Sequence, residues 1–163
     1  MQVTLHRARE EDIDWIMRLE RLPGYDNLVG CWDAAQHRAA MADPTYRYFR
    51  AEADGRPAGF VIVKGWDSPD HVTLIKRAAI ETPGSGVGRR MIAAAVARVF
   101  EDTSAYRLWI GCFPDNLRAR QAYEAAGFTA EGVARGNAYF HGEHRDELVL
   151  SILRPEWERR HRL

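Results

Sequence analysis

The chain has little cysteine, almost no lysine and no long apolar run. Its 163 residues include two cysteines, Cys31 and Cys112, far apart in sequence. That spacing excludes a disulfide framework and a CxxC metal motif, and both thiols are expected to behave as small buried hydrophobes. Lysine occurs only at Lys64 and Lys76, so arginine carries most of the basic charge. Acidic and basic residues balance at 23 each, which removes any global pull toward nucleic acid or an anionic membrane. No apolar stretch is long enough to span a bilayer, and residues 1–7 lack the apolar core of a signal peptide. A cytoplasmic protein is expected. There is also no Pro/Gly/Ser-rich linker, repeat or low-complexity tract, so a single domain is expected over residues 1–163.

What is present is alternation of strand and helix patterns. Val3 and Leu5 alternate with polar residues as in a half-buried strand. Ile13, Ile16, Met17 and Leu19 predict a helix over 10–22, stopped by Pro23-Gly24. Residues 22–32 are irregular and aromatic-rich. Asp33 reads as the N-cap of a second helix, which Asp43-Pro44 ends. Strands follow over 46–53 and 57–66, joined by the hairpin signal Asp54-Gly55, and a third over 71–80. The rhythm then changes to a helix over 86–102, a strand over 106–113 apolar enough for burial on both faces, and a helix over 116–126 stopped by Gly127. Strands over 128–135 and 145–153 close the pattern. The strand–helix–strand crossover implies one parallel pair. The fold class is therefore α/β (α+β): a mixed, mostly antiparallel sheet of about seven strands with about four helices.

Two segments carry chemistry. Gly84, Gly86 and Gly88 precede Arg89-Arg90 at the start of a helix, where unpaired main-chain amides and the helix dipole suit phosphate. A Walker A loop would need Lys-Ser/Thr after the last glycine, and a dinucleotide fingerprint would need a third spaced glycine; the sequence has neither. A plain strand-to-helix turn is the other reading. Beyond that helix and one strand, Asn116 and Tyr123 stand about two turns apart, or ~10 Å, on nearly one face of the next helix. Asn116 can cap the helix, and Tyr123 can pack in a core. Alternatively the phenol, with an ordinary pKa of about 10, stays protonated at neutral pH and can donate its proton to a departing thiolate. His141-x-x-His144, near His71 at most, lacks a tetrahedral ligand set, so no metal is expected.

These residues resemble the GNAT N-acetyltransferases, and within them the Rim-type ribosomal-protein N-terminal acetyltransferases. The resemblance covers about residues 71–157, more loosely from Val3 onward. Gly86-Val87-Gly88 is similar to the family's pyrophosphate loop. Asn116, Ala119, Tyr123 and Gly127-Phe128 match its N-x-x-A-x-x-x-Y-x-x-x-G-F helix. Arg145-Asp146-Glu147-Leu148 and Leu153-Arg154-Pro155-Glu156-Trp157 resemble the closing strand of the Rim-type subgroup. The resemblance implies a sheet whose central parallel pair is splayed and an acetyl-CoA-dependent transfer to a primary amine. It places the pantetheine arm along Ala78, Ala79 and Ile80, the pyrophosphate on Gly84, Ser85, Gly86, Val87, Gly88 and Arg89, a contact to the arm at Asn116, and the general acid at Tyr123. Arg89, Arg90 or Arg118 would meet the adenosine 3′-phosphate.

The chain departs from that pattern. Pro83 stands where the family often has Gln or Arg, and the two positions at which members carry a glutamate base are Leu74 and Gly111 here. Without such a base an acceptor amine of low pKa is favoured, since an α-amine near ~7.7–8 is partly neutral where a lysine amine near ~10.4 is not. Glu81, Glu143 and His144 are the candidate bases, and Tyr25, Asp26, Trp32 and Tyr139 the candidate acceptor-pocket residues. The expected partner is a small amine or a peptide N-terminus, with neither nucleic acid nor membrane, as monomer or homodimer. A non-catalytic acyl-CoA-binding domain on the same fold is the alternative function.

Overall fold

The computed structural model describes residues 1–25 and 28–161. Its elements in chain order are β1 (Val3–Arg7), a single 3-10 turn (Glu10–Asp12), α1 (Ile13–Glu20), α2 (Ala34–Ala42), β2 (Tyr46–Ala53), β3 (Arg56–Lys64), β4 (Val72–Ile80), α3 (Val87–Asp102), β5 (Arg107–Cys112), α4 (Leu117–Ala125), β6 (Thr129–Phe140), β7 (Glu143–Leu153) and α5 (Arg154–His161). The strands form one seven-stranded sheet in the order β1-β2-β3-β4-β5-β7-β6. All neighbours run antiparallel except β4 and β5. The expected mixed sheet with one parallel pair is therefore the observed one. None of the helices is long and apolar enough to cross a membrane, among the described residues.

Two apolar clusters hold the layers together. On one face, Met91, Ala95, Val99 and Phe100 of α3 pack on Phe49, Val61, Leu108 and Ile152 of the sheet. On the other, Ile16 and Leu19 of α1 and Ala40 of α2 pack on Tyr48, Phe60 and Ile62. The second layer also contains a buried polar chain. The Glu20 carboxylate accepts from His37 Nε2 at 2.9 Å and from Arg77 Nη1 at 2.6 Å, and the Tyr48 hydroxyl lies 2.7 Å from His37 Nδ1. A carboxylate only accepts, so Nε2 carries the proton toward Glu20. This chain ties α1 and α2 to β4 at the residue where β4 begins to diverge.

Several boundaries shift for identifiable reasons. The first helix begins as a 3-10 turn in which Arg9 N donates to Asp12 Oδ2 at 2.9 Å. Asp33 caps α2 as expected, accepting from Gln36 N at 2.8 Å while Gln36 Oε1 accepts from Asp33 N. β6 and β7 are longer than expected and meet at His141 and Gly142, both in the left-handed region. Among the described residues there are five helices rather than about four. The fifth, α5, has Pro155 in its first turn, where a missing N–H costs nothing, and Trp157 is its apolar anchor to the core. The two cysteines do not share one environment. Cys112 is buried, but Cys31 is exposed in the irregular stretch between α1 and α2, contrary to expectation.

The sheet parts at its centre. β4 and β5 hold parallel register from Val72 opposite Arg107 to Ile75 opposite Ile110. β4 then continues to Ile80 and β5 to Cys112 without pairing to each other. The cause is visible in the opposite ladder. Ile62 faces Arg77 while Val63 faces Ile75, which leaves Lys76 as an extra residue in β4. Such a bulge bends its strand and increases local twist, and here it does so where β4 leaves β5. The face of β5 also alternates: Leu108, Ile110 and Cys112 are buried, whereas Trp109 and Gly111 are only half-buried. The expected burial on both faces fails because one face floors an open cavity.

Candidate active site

Two cavities lie on either side of the parted strands. The first, about 370 Å³, runs from the loop before α3 along β4 to α4. Ala78, Ala79, Ile80, Gly88, Asn116 and Tyr123 are among its walls. The second, about 510 Å³, opens toward β6 and β7, with Lys76, Trp109, Asn137, Tyr139 and Glu147 among its walls. Ala78, Gly111, Cys112 and Tyr123 border both. The two cavities thus meet at the split in the sheet.

The loop side offers main-chain donors. Gly84 and Gly86 have φ of +84° and +86°, and Gly86 caps α3. Space around both is open, so conformation rather than crowding requires glycine there. Ser85 N donates to Thr82 O at 3.3 Å and Val87 N approaches Ser85 Oγ at 3.4 Å. The amides of Gly84, Gly86, Gly88 and Arg89 have no such loop partner among the described residues, and first-turn amides have none within the helix. Ser85, Arg89 and Arg90 are exposed and Val87 is buried beneath the turn.

Along β4 the main chain is equally available. Alternate residues of a strand send N–H and C=O to the same edge. Ile80 faces the open edge, because the Tyr25 hydroxyl donates to Ile80 O at 3.0 Å and lies 3.4 Å from Ile80 N. Ala78 shares that edge, while Ala79 turns to β3 opposite Phe60 and buries its methyl. Asn116 Oδ1 accepts from Ala119 N at 3.2 Å and so caps α4, leaving its amide NH₂ without a partner among the described residues.

Tyr123 stands at the junction. Its ring packs on the core and lies 6.3 Å from that of Phe128. Its hydroxyl makes no hydrogen bond among the described residues, so it is not engaged as a core phenol would be. Burial, then Cys112 and Tyr25, pushes its pKa above the ordinary tyrosine value and keeps it protonated. Cys112, with 9% exposure, is pushed up to about 11, by burial first and then by Glu147.

The remaining sequence candidates distribute unevenly. Tyr25 walls the first cavity and Tyr139, 71% exposed, the second. Trp32 lies in neither wall; its ring packs over Lys76 and Arg77 at 5.3 and 4.7 Å. Asp26 lies outside the described residues. Glu81 is engaged by the Trp15 indole at 2.6 Å and by Arg18, which hold its carboxyl below the usual glutamate value. Arg118 walls the first cavity. Among the described residues no three His, Cys, Asp or Glu side chains converge as a metal site.

Two wall residues were passed over in the sequence. Glu147 sits on β7, half-buried, with its carboxylate beside Gly111. Lys76 is the bulge residue of β4. The legible signal was a glycine inside an otherwise apolar strand, which marks a close approach; which group approaches depends on the β5–β7 register.

Residues 11–128 match the acetyltransferase (GNAT) family. A probable N-acetyltransferase, YjcK, of Bacillus subtilis is 35% identical over 75 residues, 46% of this chain and 41% of that protein. A putative ribosomal N-acetyltransferase, YdaF, of the same organism is 32% identical over 80 residues, 49% of this chain and 44% of that protein. These alignments thus span less than half the length of either relative. An aminoglycoside N(6′)-acetyltransferase of Klebsiella pneumoniae is 25% identical, covering 80% and 75% of the two chains. Among solved structures, AAC(6′)-Ib in complex with ribostamycin and coenzyme A superposes with a TM-score of 0.83 at 20% identity, covering 99% of both chains. A spermidine N-acetyltransferase variant, SpeG, from Vibrio cholerae gives 0.82 at 21% identity with the same coverage.

Proposed function

The chain belongs to the acetyltransferase (GNAT) family, and on that premise we propose that it transfers the acetyl group of acetyl-CoA to a primary amine. The observation that carries this reading is the meeting of two cavities at the parted β4–β5 seam, with an unengaged phenol at the junction. One cavity has the features a phosphorylated carrier needs, and the other opens to an acceptor.

The residues fit coenzyme A. The amides of Gly84, Gly86, Gly88 and Arg89, without loop partners among the described residues, would hold the diphosphate at the N-terminus of α3. Ala78 and Ile80 would pair with the extended arm as an added strand does, Tyr25 yielding its bond to Ile80, and the Asn116 amide would donate to the same arm. Bound there, the thioester supplies an electrophilic carbonyl and a thiolate leaving group. A main-chain N–H at the open edge of β4 would steady the oxygen as it gains charge. Tyr123 would donate its proton to the departing sulfur. The high pKa of Cys112 supports direct attack by the amine over an acyl-cysteine, because the thiolate is scarce at neutral pH.

The acceptor we infer is a peptide or protein N-terminus or a small amine. Arg77 is neutralised by Glu20, and Lys76 faces the same cavity as Glu147. The cavity therefore has little net negative charge, which supports an acceptor with one cationic centre over a polycation. Thiol release is the test, with α-amines, lysine side chains, spermidine and an aminoglycoside as acceptors. Tyr123→Phe should lower kcat by about 100-fold with KM for acetyl-CoA nearly unchanged. Unchanged turnover would remove Tyr123 as the acid. Tight acetyl-CoA binding without thiol release for any amine would leave a binding domain instead.

A further inference from the structure

A primary amine is largely protonated at neutral pH, and an ammonium has no lone pair with which to attack. If the acetyl-transfer reading holds, some group at the junction must take that proton. We propose that Glu147 takes it, its carboxylate crossing from β7 into the space that Gly111 leaves empty on β5.

Val149 pairs with Gly111 and Leu148 with Cys112 across the β5–β7 ladder. This register brings Glu147 to the end of β5, at the point where β5 no longer has β4 beside it. A Cβ built on Gly111 would overlap the carboxylate group of Glu147. The side chain is held from behind: Asn137 Nδ2 donates to Oε1 at 2.7 Å. Oε2 accepts no hydrogen bond and forms no ion pair among the described residues, and Glu147 walls the acceptor cavity, where Gly111, Cys112 and Tyr123 border the donor cavity. Among the described residues no other carboxylate walls either cavity: Glu81 is engaged by Trp15 and Arg18, and neither Glu81 nor Glu143 is in the walls.

The charged and titratable groups around it are Lys76 and Arg77 from β4, Cys112 from β5, Tyr123 from α4 and Tyr139 from β6. Arg77 is paired to Glu20. Burial dominates, pushing the carboxyl above its usual value, against the Asn137 hydrogen bond and Lys76. A raised carboxyl is a stronger base.

The step balances as follows. A proton passes from the amine nitrogen to Glu147 Oε2, the nitrogen bonds to the thioester carbon, and the carbon–sulfur bond breaks. The sulfur gains a proton from Tyr123. The Glu147 proton then returns to the phenolate through water, so a neutral amine and the thioester give amide and thiol. An acceptor that arrives as ammonium first gives its extra proton to Glu147, which passes it through water to solvent before the nitrogen attacks.

The experiment compares the intact chain with Glu147→Gln, with Gly111→Ala, and with Glu147→Ala combined with Gly111→Glu. Glu147→Gln should lower kcat by about 100-fold, leave KM for acetyl-CoA unchanged, and recover as pH rises and the amine deprotonates unaided. Gly111→Ala, which displaces the carboxylate, should act in the same direction. The double variant returns a carboxylate to the same space from β5 and should restore part of the rate. A second reading needs no turnover. With its proton held more tightly in the folded state, Glu147 makes the unliganded protein lose stability as pH rises through its titration; Glu147→Gln should abolish that fall in the thermal midpoint. Full turnover in Glu147→Gln, or a loss confined to the acceptor KM, would overturn the proposal while leaving acetyl transfer intact. A wild-type chain that releases no thiol with any primary amine would overturn both.

Discussion

Gly111 is informative because of what its neighbour does. In an apolar strand a glycine gives up packing, and here the vacated volume is filled by a carboxylate from the adjacent strand. The residue alone predicts a close approach, but the register of β5 on β7 identifies Glu147. Gly86 presents the opposite case. Its surroundings are open and its φ is +86°, so the sequence pattern of spaced glycines before a helix already contains the reason for it. Gly86→Ala places a Cβ in the left-handed region and should cost about 1 kcal/mol, read as a shift in denaturation midpoint. If the amides behind it hold a diphosphate, the same variant should raise KM for acetyl-CoA and leave saturated turnover near wild type. Tyr123 was legible as a helical tyrosine two turns from a cap; that its hydroxyl has no partner among the described residues was not, because hydroxyl contacts depend on three-dimensional neighbours.

At the scale of elements, the pattern-bearing segments were the ones that read well. The Asp33 cap, the Asp54-Gly55 hairpin and the stop at Gly127 are local chemistry, and each sits where the sequence indicates. α5 was not legible, since a helix with one apolar anchor has no periodicity to detect. It is held by Arg154, which donates to Ala105 O and Thr103 O at 2.8 Å, and by Trp157 stacked 5.4 Å from Phe100. The Trp157 indole N–H is buried with no hydrogen-bond partner among the described residues. An unmet donor costs about 1–3 kcal/mol, so Trp157→Phe should hold or raise the thermal midpoint despite the smaller ring. Trp157→Ala should lose about 3 kcal/mol by chemical denaturation. The family resemblance implies a bulged end to β4, but that Lys76 is the extra residue cannot be read from the strand's own pattern, because a bulge is a relation between two strands.

Across the whole molecule, two carboxylates act on stability with the sign opposite to that of Glu147. Glu81, bonded to Trp15 and Arg18, and Glu131, bonded to Arg107 and Ser151, have carboxyls below the usual value. The unfolded chain then binds more protons than the folded one, so this stabilisation is complete above the ordinary glutamate range and fades as pH falls through the lowered values. The thermal midpoint should drop from about pH 5 downward, and Glu81→Gln with Glu131→Gln should flatten that drop. The mixed sheet with one parallel pair was legible in outline, since strand and helix periodicities and one crossover imply it; the place of β7 between β5 and β6 was not. The parting of the sheet has a wider consequence. Both borders of the gap are interior margins, with backbone groups of Ala78 and Ile80 directed into it and a tyrosine hydroxyl resting on one of them. An extended molecule that fills the slot becomes, in effect, an eighth borrowed strand. Occupancy and folding are then linked by mass action, and a protein short of its ligand is a protein with an unfinished sheet.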